Sequence, residues 1–429
     1  MMSFRGKIIV ALFSAAVVSY ALLGGFLGSY AQQPINDPGA QMRIFGSVLQ
    51  HVYNDYVDVP NLERVRGGAL RGLPASLDPY SSYLTADQVK DYQANKQNTL
   101  AGVGAEFSSI SSYLYVVSVI RDSPAEKAGL KAGDVIEYIE NRATRDISLY
   151  DARQLILGEP GSSVKLRVLR ASAKPQTVTV VRGNYQIPKA ESRVENGKVG
   201  VVKIYSLEKG EANDIRAQVQ SLTKQGVQKI VLDLRGVAAG SIDEAAEVAN
   251  LFIKEGTLAQ VIGREAKPIK TYTADPAKAI FDGRLSALID IGTAGAGEVV
   301  AAAIKDRKRG DVIGERSFGA GTEQKLFTLR AGDGMLLTIA KWASPEGKTF
   351  LGEDRANSGI VPTVEVKRPE SPEPLEVEDL VDQQDENQQP GATPAPTPKP
   401  EQPKVLEDMQ LKKALELMIQ EKEPAAKAE

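Results

Sequence analysis

The chain of 429 residues contains no cysteine. That excludes thiol catalysis, disulfide bonds and cysteine-ligated zinc. It contains one histidine, His51. A Ser-His-Asp triad or a histidine-rich metal site therefore has almost nothing to draw on. A hydrolase built on this chain would need lysine or a carboxylate as its base. His51 falls in Val48-Leu-Gln-His-Val-Tyr53, an amphipathic helical pattern, and reads as a surface or boundary residue. The net charge of −3 gives no reason to expect nucleic acid as a partner. No cofactor or metal is expected. What remains, 42% hydrophobic and 25% charged residues, fits a soluble globular protein of two or three domains.

Residues 1–31 read as a targeting segment. Arg5 and Lys7 precede an apolar run from Ile8 to Leu27, and Ser29-Tyr30-Ala31 places small residues where a signal peptidase reads them. The run is about 20 residues, enough to span a bilayer as a helix. Cleaved signal and uncleaved membrane anchor both remain open. In either case the rest of the chain is exported, to the periplasm or to an inner-membrane anchor facing it.

Residues 32–95 read as a helical region, with Met42 to Tyr53 apolar at helical spacing and a second helix over Leu62–Leu70. Residues 369–403 are rich in Pro, Glu and Gln and read as a linker too polar to fold. An amphipathic helix follows within 404–421. Being marginal alone, it is expected to dock on the core or on a second subunit.

Between these lie two longer regions. In 96–184, the tract Gly102-Val103-Gly104-Ala105-Glu106-Phe107 offers consecutive amides to an anion, beside a strand edge able to pair with a peptide. Ser123-Pro-Ala-Glu-Lys-Ala-Gly-Leu130 reads as a short helix and turn, and Leu149–Leu157 as a helix flanking a groove. This ordered set resembles a PDZ domain, which implies that polypeptide C-termini bind at residues 102–107. In 185–368, alternating strands and helices predict a layered core.

That core carries two small-residue turns, Gly292-Thr-Ala-Gly-Ala-Gly-Glu298 and Ser317-Phe-Gly-Ala-Gly-Thr-Glu-Gln324. They resemble the signature of the C-terminal processing (tail-specific) serine peptidases. In that family the first turn reads Gly-Ser/Thr-Ala-Ser-Ala-Ser-Glu and its middle serine is the nucleophile. The second reads Phe-Gly-Lys-Gly-Thr-x-Gln and its lysine is the base. The family separates the two by 25 residues, and the matching positions here are Gly295 and Ala320, with 320 − 295 = 25. Frame and spacing are kept, and both chemical groups are absent. The family's oxyanion tract, Asn-Asn-Pro-Gly-Gly, is here Gly236-Val-Ala-Ala-Gly240, with only the last glycine retained as Gly240. The resemblance also maps Gln324 onto the residue that orients the lysine and Asp306 onto a polar position after the nucleophile helix.

The expected architecture is an α/β (α+β) peptidase core with an inserted PDZ domain and an N-terminal helical region. The expected function is a non-catalytic homologue that binds polypeptide C-termini, or an active protease or envelope protein, as regulator or scaffold, in homo- or hetero-oligomers. The alternative is an active endopeptidase whose groups have moved, with Thr293, Ser317, Ser241 and Lys325 as the nearby candidates.

Overall fold

A computed structural model describes residues 13–15, 18–19, 37–95, 100–110, 112–170, 173–330, 332–368 and 407–419. Of the targeting segment, only residues 13–15 and 18–19 are described, as helix; the 369–403 linker lies outside the described residues. Among those described, no helix is long and apolar enough to cross a membrane. The chain divides into two compact units, residues 1–70 and 71–429.

The first unit contains α1 (Pro38–Asp55). Asp37 starts it by accepting from the Ala40 amide, and Pro38 occupies the first turn, where a missing N–H costs nothing. His51 is exposed and hydrogen-bonded to Asp55 at 2.6 Å, as a surface histidine should be. A second helix, α2, spans Leu62–Ala75, ending five residues beyond the expected boundary.

In the second unit, β1 (Ser82–Leu84) and α3 (Ala86–Gln93) lead into the PDZ region. Its strands are β2 (Ala105–Ile110), β3 (Tyr113–Val119), β4 (Val135–Ile139), β5 (Arg142–Ala143), β6 (Ser163–Arg170) and β7 (Ala173–Val181). The sheet order is β2-β3-β4-β6-β7, with β5 on β4, so β2 is an edge strand. A short helix α4 (Pro124–Lys127) is capped by Ser123, and α5 (Leu149–Ile156) by Ser148. Leu149, Ala152 and Ile156, at helical spacing, turn one face of α5 into the PDZ core with Val103, Phe107 and Leu166.

The core is built on a second sheet. Strands β8 (Glu191–Glu195), β9 (Val199–Lys203), β10 (Lys229–Asp233), β13 (Arg284–Ile289), β14 (Gly310–Gly314) and β17 (Val364–Glu365) lie in the order β17-β14-β13-β10-β9-β8. All neighbours are parallel except β8 with β9. The central strands are apolar runs because both faces are covered. Val202, Ile230, Leu232, Ala287 and Ile289 pack under α6 (Glu211–Lys224), α7 (Ile242–Asn250) and α8 (Ala296–Asp306). The alternate residues Val201, Val231, Leu288 and Ile313 face α9 (Met409–Ile419) through Ala414 and Met418. The C-terminal helix thus docks on the core. Its approach is fixed by Asp408, which receives both terminal nitrogens of Arg235 at 2.8 and 2.9 Å. A third sheet joins β1 to β16 (Gly334–Ala343), β11 (Thr257–Ile262) and β12 (Pro268–Thr273), with β15 (Thr322–Thr328) on the other edge of β16.

PDZ and core meet through apolar side chains. Tyr113, Tyr115, Val117 and Leu169 of the PDZ sheet cluster with Ile291, Ala294 and Phe318 of the two small-residue turns.

Candidate active site and peptide groove

The first turn leaves β13 and enters α8. Gly295 at its apex has φ +48° and ψ −106°, a conformation that non-glycine residues adopt only under strain. This is the geometry of a nucleophile elbow, which holds a side chain above a strand-to-helix turn. The elbow is intact and carries no side chain. A Cβ on Gly295 would meet Trp342 Cζ3 at 3.6 Å and the Ala238 carbonyl at 3.8 Å, ordinary contacts, so the space in front of the apex is open.

One buried carboxylate ties the two turns together. Glu298, fully inaccessible, lies in the first turn of α8. It accepts from the Gly295 amide, the Gly319 amide and the Ala320 amide, each at 2.8 Å, and from the Ser317 hydroxyl at 2.5 Å. Burial pushes its carboxyl up to about 7, against the pull of these four donors. Ser317 Oγ in turn accepts from the Ile360 amide at 2.6 Å. A carboxylate in the first turn of a helix suits its N-terminal dipole. Glu298 does more: it holds residues 295 and 320 in register by their backbones, and needs neither side chain to do so.

A cavity of about 190 Å³ lies in front of this arrangement. Gly240, Gly295, Ala320, Gln324 and Trp342 line it from the core, and Glu106, Phe107, Ser108 and Arg153 from the PDZ domain. Tyr80 enters from the segment before β1 and shares a 2.9 Å hydrogen bond with Ser108. Nothing in the sequence patterns marked Tyr80, Ser108, Arg153 or Trp342 as neighbours, since each comes from a separate element. Gln324 Nε2 donates to Thr322 and, at 3.4 Å, to Thr338. Asp306 does not join them. It is the last residue of α8, about 15 Å along the helix from its first residue, Ala296, at 1.5 Å per residue. The resemblance places Asp306 after the nucleophile helix; in the structure it is that helix's last residue, outside the cavity lining.

The hydroxyl and amine substitutes fare no better. Thr293 is fully buried and donates to the Leu234 carbonyl. Ser317 is committed to Glu298, and Ser241 caps α7 by accepting from the Glu244 amide. Lys325 lies on the exposed face of β15 over the Phe327 ring.

The tract Gly236–Gly240 separates this cavity from a larger one of about 360 Å³. Lys203 and Arg235 line the larger cavity, but both are paired with Asp233. Burial alone would raise the Asp233 carboxyl; its two cations hold it down at about 2. Gly240, at φ +137°, lies with its Cα face against the Leu207 carbonyl, where a Cβ would approach to 2.3 Å. That contact alone requires the retained glycine.

In the PDZ domain, Gly104 has φ +78°. Among the described residues the amides of Val103 and Gly104 have no hydrogen-bond partner, while their carbonyls accept from Ala125 and Ile120. Residues 102–104 form the loop and 105–107 open β2.

Comparison with known proteins agrees with this fold. Peptidase family S41 matches residues 198–366 and a PDZ domain matches residues 115–170. A carboxy-terminal-processing protease of Bartonella bacilliformis is 30% identical over 77% of this chain and 76% of its own length. The chain belongs to the C-terminal processing peptidase family. Carboxy-terminal processing protease CtpA of Bacillus subtilis is 28% identical over 83% of this chain and 76% of its own length. A probable CtpA-like serine protease of Staphylococcus haemolyticus is 31% identical, and the chain spans 63% of that protein. Among solved structures, the photosystem II D1 C-terminal processing protease superposes with a TM-score of 0.63 at 27% identity, covering 74% of this chain and 86% of that one. This member of the family has an α/β peptidase core and a PDZ domain.

Proposed function

We propose that this member of the C-terminal processing peptidase family is exported, lacks peptidase activity and binds polypeptide C-termini or a protease partner as a regulator or scaffold. The observation that carries the reading is the intact elbow with glycine at its apex, opposite alanine at the base position. A serine–lysine unit needs both side chains, because either loss alone removes most of the rate. The PDZ loop supports the binding half, with two unengaged amides beside the edge strand β2.

Purified protein should not cleave casein or a tailed reporter above background. A peptide with a free C-terminal carboxylate should bind in the micromolar range, roughly −8 kcal/mol, and more tightly than its amidated form. Equal affinity of the acid and amide forms would remove the carboxylate loop from the reading.

One observation favours a displaced catalytic pair, the Ser108–Tyr80 hydrogen bond inside the cavity. Against it, burial raises the Tyr80 phenol above its ordinary value, so it is a poor acceptor for the serine proton at neutral pH. Casein cleavage that disappears in Ser108→Ala would establish this second reading and overturn the first.

A further inference from the structure

The free edge of β2 is the strand on which an extended peptide would add, and one of its acceptors is already taken. Arg153, on α5 across the groove, donates from Nη2 to the Phe107 carbonyl at 2.8 Å. Phe107 lies on β2, an edge strand whose one neighbour is β3, and its carbonyl is engaged from the groove helix. A peptide pairing with β2 needs that carbonyl for its own backbone N–H. The same guanidinium group has a second acceptor close by. The Glu106 carboxylate, on the adjacent residue of β2, lies 3.9 Å from Arg153 Nη2, with both side chains partly exposed. Arg153 thus sits between a carbonyl it bonds directly and a carboxylate just beyond hydrogen-bond length.

We propose that Arg153 is a two-position latch on the peptide groove: on the Phe107 carbonyl it withholds the strand edge, and on the Glu106 carboxylate it releases it. The proposal rests on the reading that the groove receives polypeptide C-termini. It adds that the free groove is closed by the chain's own side chain, and that an incoming backbone N–H takes the Phe107 carbonyl while Arg153 moves to Glu106. No charge is stranded in either position, because the carboxylate waits beside the carbonyl. Arg153, Glu106 and Phe107 also line the cavity in front of Gly295 and Ala320. Opening the latch therefore changes the wall of the degenerate centre as well as the groove.

The test is fluorescence anisotropy with a fluorescein-labelled decapeptide ending in Val-Ala with a free carboxylate, on the full chain. Arg153→Ala removes the closed position and should tighten binding about tenfold, the effect of one hydrogen bond to a charged group. Arg153→Met, which keeps the aliphatic stem, should do the same and covers the case in which Ala perturbs folding. Glu106→Gln removes the charge that receives Arg153 and should weaken binding several-fold. Opposite signs from two substitutions in one groove would not arise from general damage. If wild type binds and both Arg153 variants bind equally or more weakly, the latch is wrong and Arg153 instead contacts the peptide, while the groove reading stands. If neither wild type nor the Arg153 variants bind, the groove reading fails and the latch with it.

Discussion

The elbow at Gly295 and the loop at Gly102–Gly104 are both glycine turns with left-handed residues, and their amides meet opposite fates. At the elbow, the Gly295 amide and the Gly319 and Ala320 amides of the facing turn all converge on Glu298. In the PDZ loop, the Val103 and Gly104 amides have no partner among the described residues. The space around the two glycines differs in the reverse sense. A Cβ at Gly295 finds nothing nearer than 3.6 Å, whereas one at Gly104 would fall 2.2 Å from Ser123 Cβ. The elbow has room for a side chain that glycine does not supply; the loop keeps its donors in a backbone that admits no side chain. Because Glu298 holds the two turns through backbone amides and the Ser317 hydroxyl, the frame does not depend on a side chain at Gly295 or on more than a methyl at Ala320.

Glu298→Ala should produce the largest effect. It leaves four donors buried without an acceptor, at about 1–3 kcal/mol each, only partly relieved by rotation of the Ser317 hydroxyl. A loss on the order of 4 kcal/mol or outright failure to fold is expected in denaturant titration. A loss below about 1 kcal/mol would show that the carboxylate does not hold the turns.

Gly104→Ala comes next, at about 3 kcal/mol, from positive-φ strain together with the Ser123 collision. Gly295→Ala, with similar strain and no collision, should cost clearly less. Equal thermal shifts for the two alanine variants would break the comparison.

The pH dependence of Glu298 sharpens it further. Its carboxyl is raised from 4.5 to about 7 in the folded state, so the folded chain binds the proton more tightly than the unfolded chain. The resulting stabilisation is fully present below pH 4.5 and is lost as pH rises through about 7, by at most about 3 kcal/mol. Denaturation midpoints at pH 5 and pH 8 should therefore differ more in wild type than in Glu298→Gln. The same difference in both would assign the effect to other groups.

The smallest change in stability is expected from Gly295→Ser combined with Ala320→Lys, about 1–3 kcal/mol for a serine at the strained apex. Activity should stay far below that of an intact relative. The rewritten tract 236–240 no longer carries the family's glycine pair, and one missing oxyanion donor costs roughly a hundred- to a thousandfold in rate. Casein turnover approaching that of an intact relative would mean that the loss is confined to the two side chains.

Much of this was legible in the residues. The Ser123–Leu130 stretch marks its short helix and turn, and the 25-residue frame locates the two turns whether or not their side chains survive. What stayed hidden was pairing across elements. Glu298 meets partners 19 to 22 residues away on a turn whose approach depends on β14. Arg153 meets Phe107 across 46 residues. Asp306, matched by resemblance to a polar position after the nucleophile helix, closes that helix and lies outside the cavity lining. Helical and strand periodicity report which face a residue occupies, not which distant carbonyl it will reach.

The chain contains a single tryptophan, and Trp342 lines the cavity between the elbow and the PDZ strand. Its indole N–H is buried without a hydrogen-bond partner among the described residues. Selectively excited intrinsic emission of the whole protein is therefore a local optical signal from one spot. Entry of water, a ligand or a new side chain at that spot will shift the emission of a sample carrying no label.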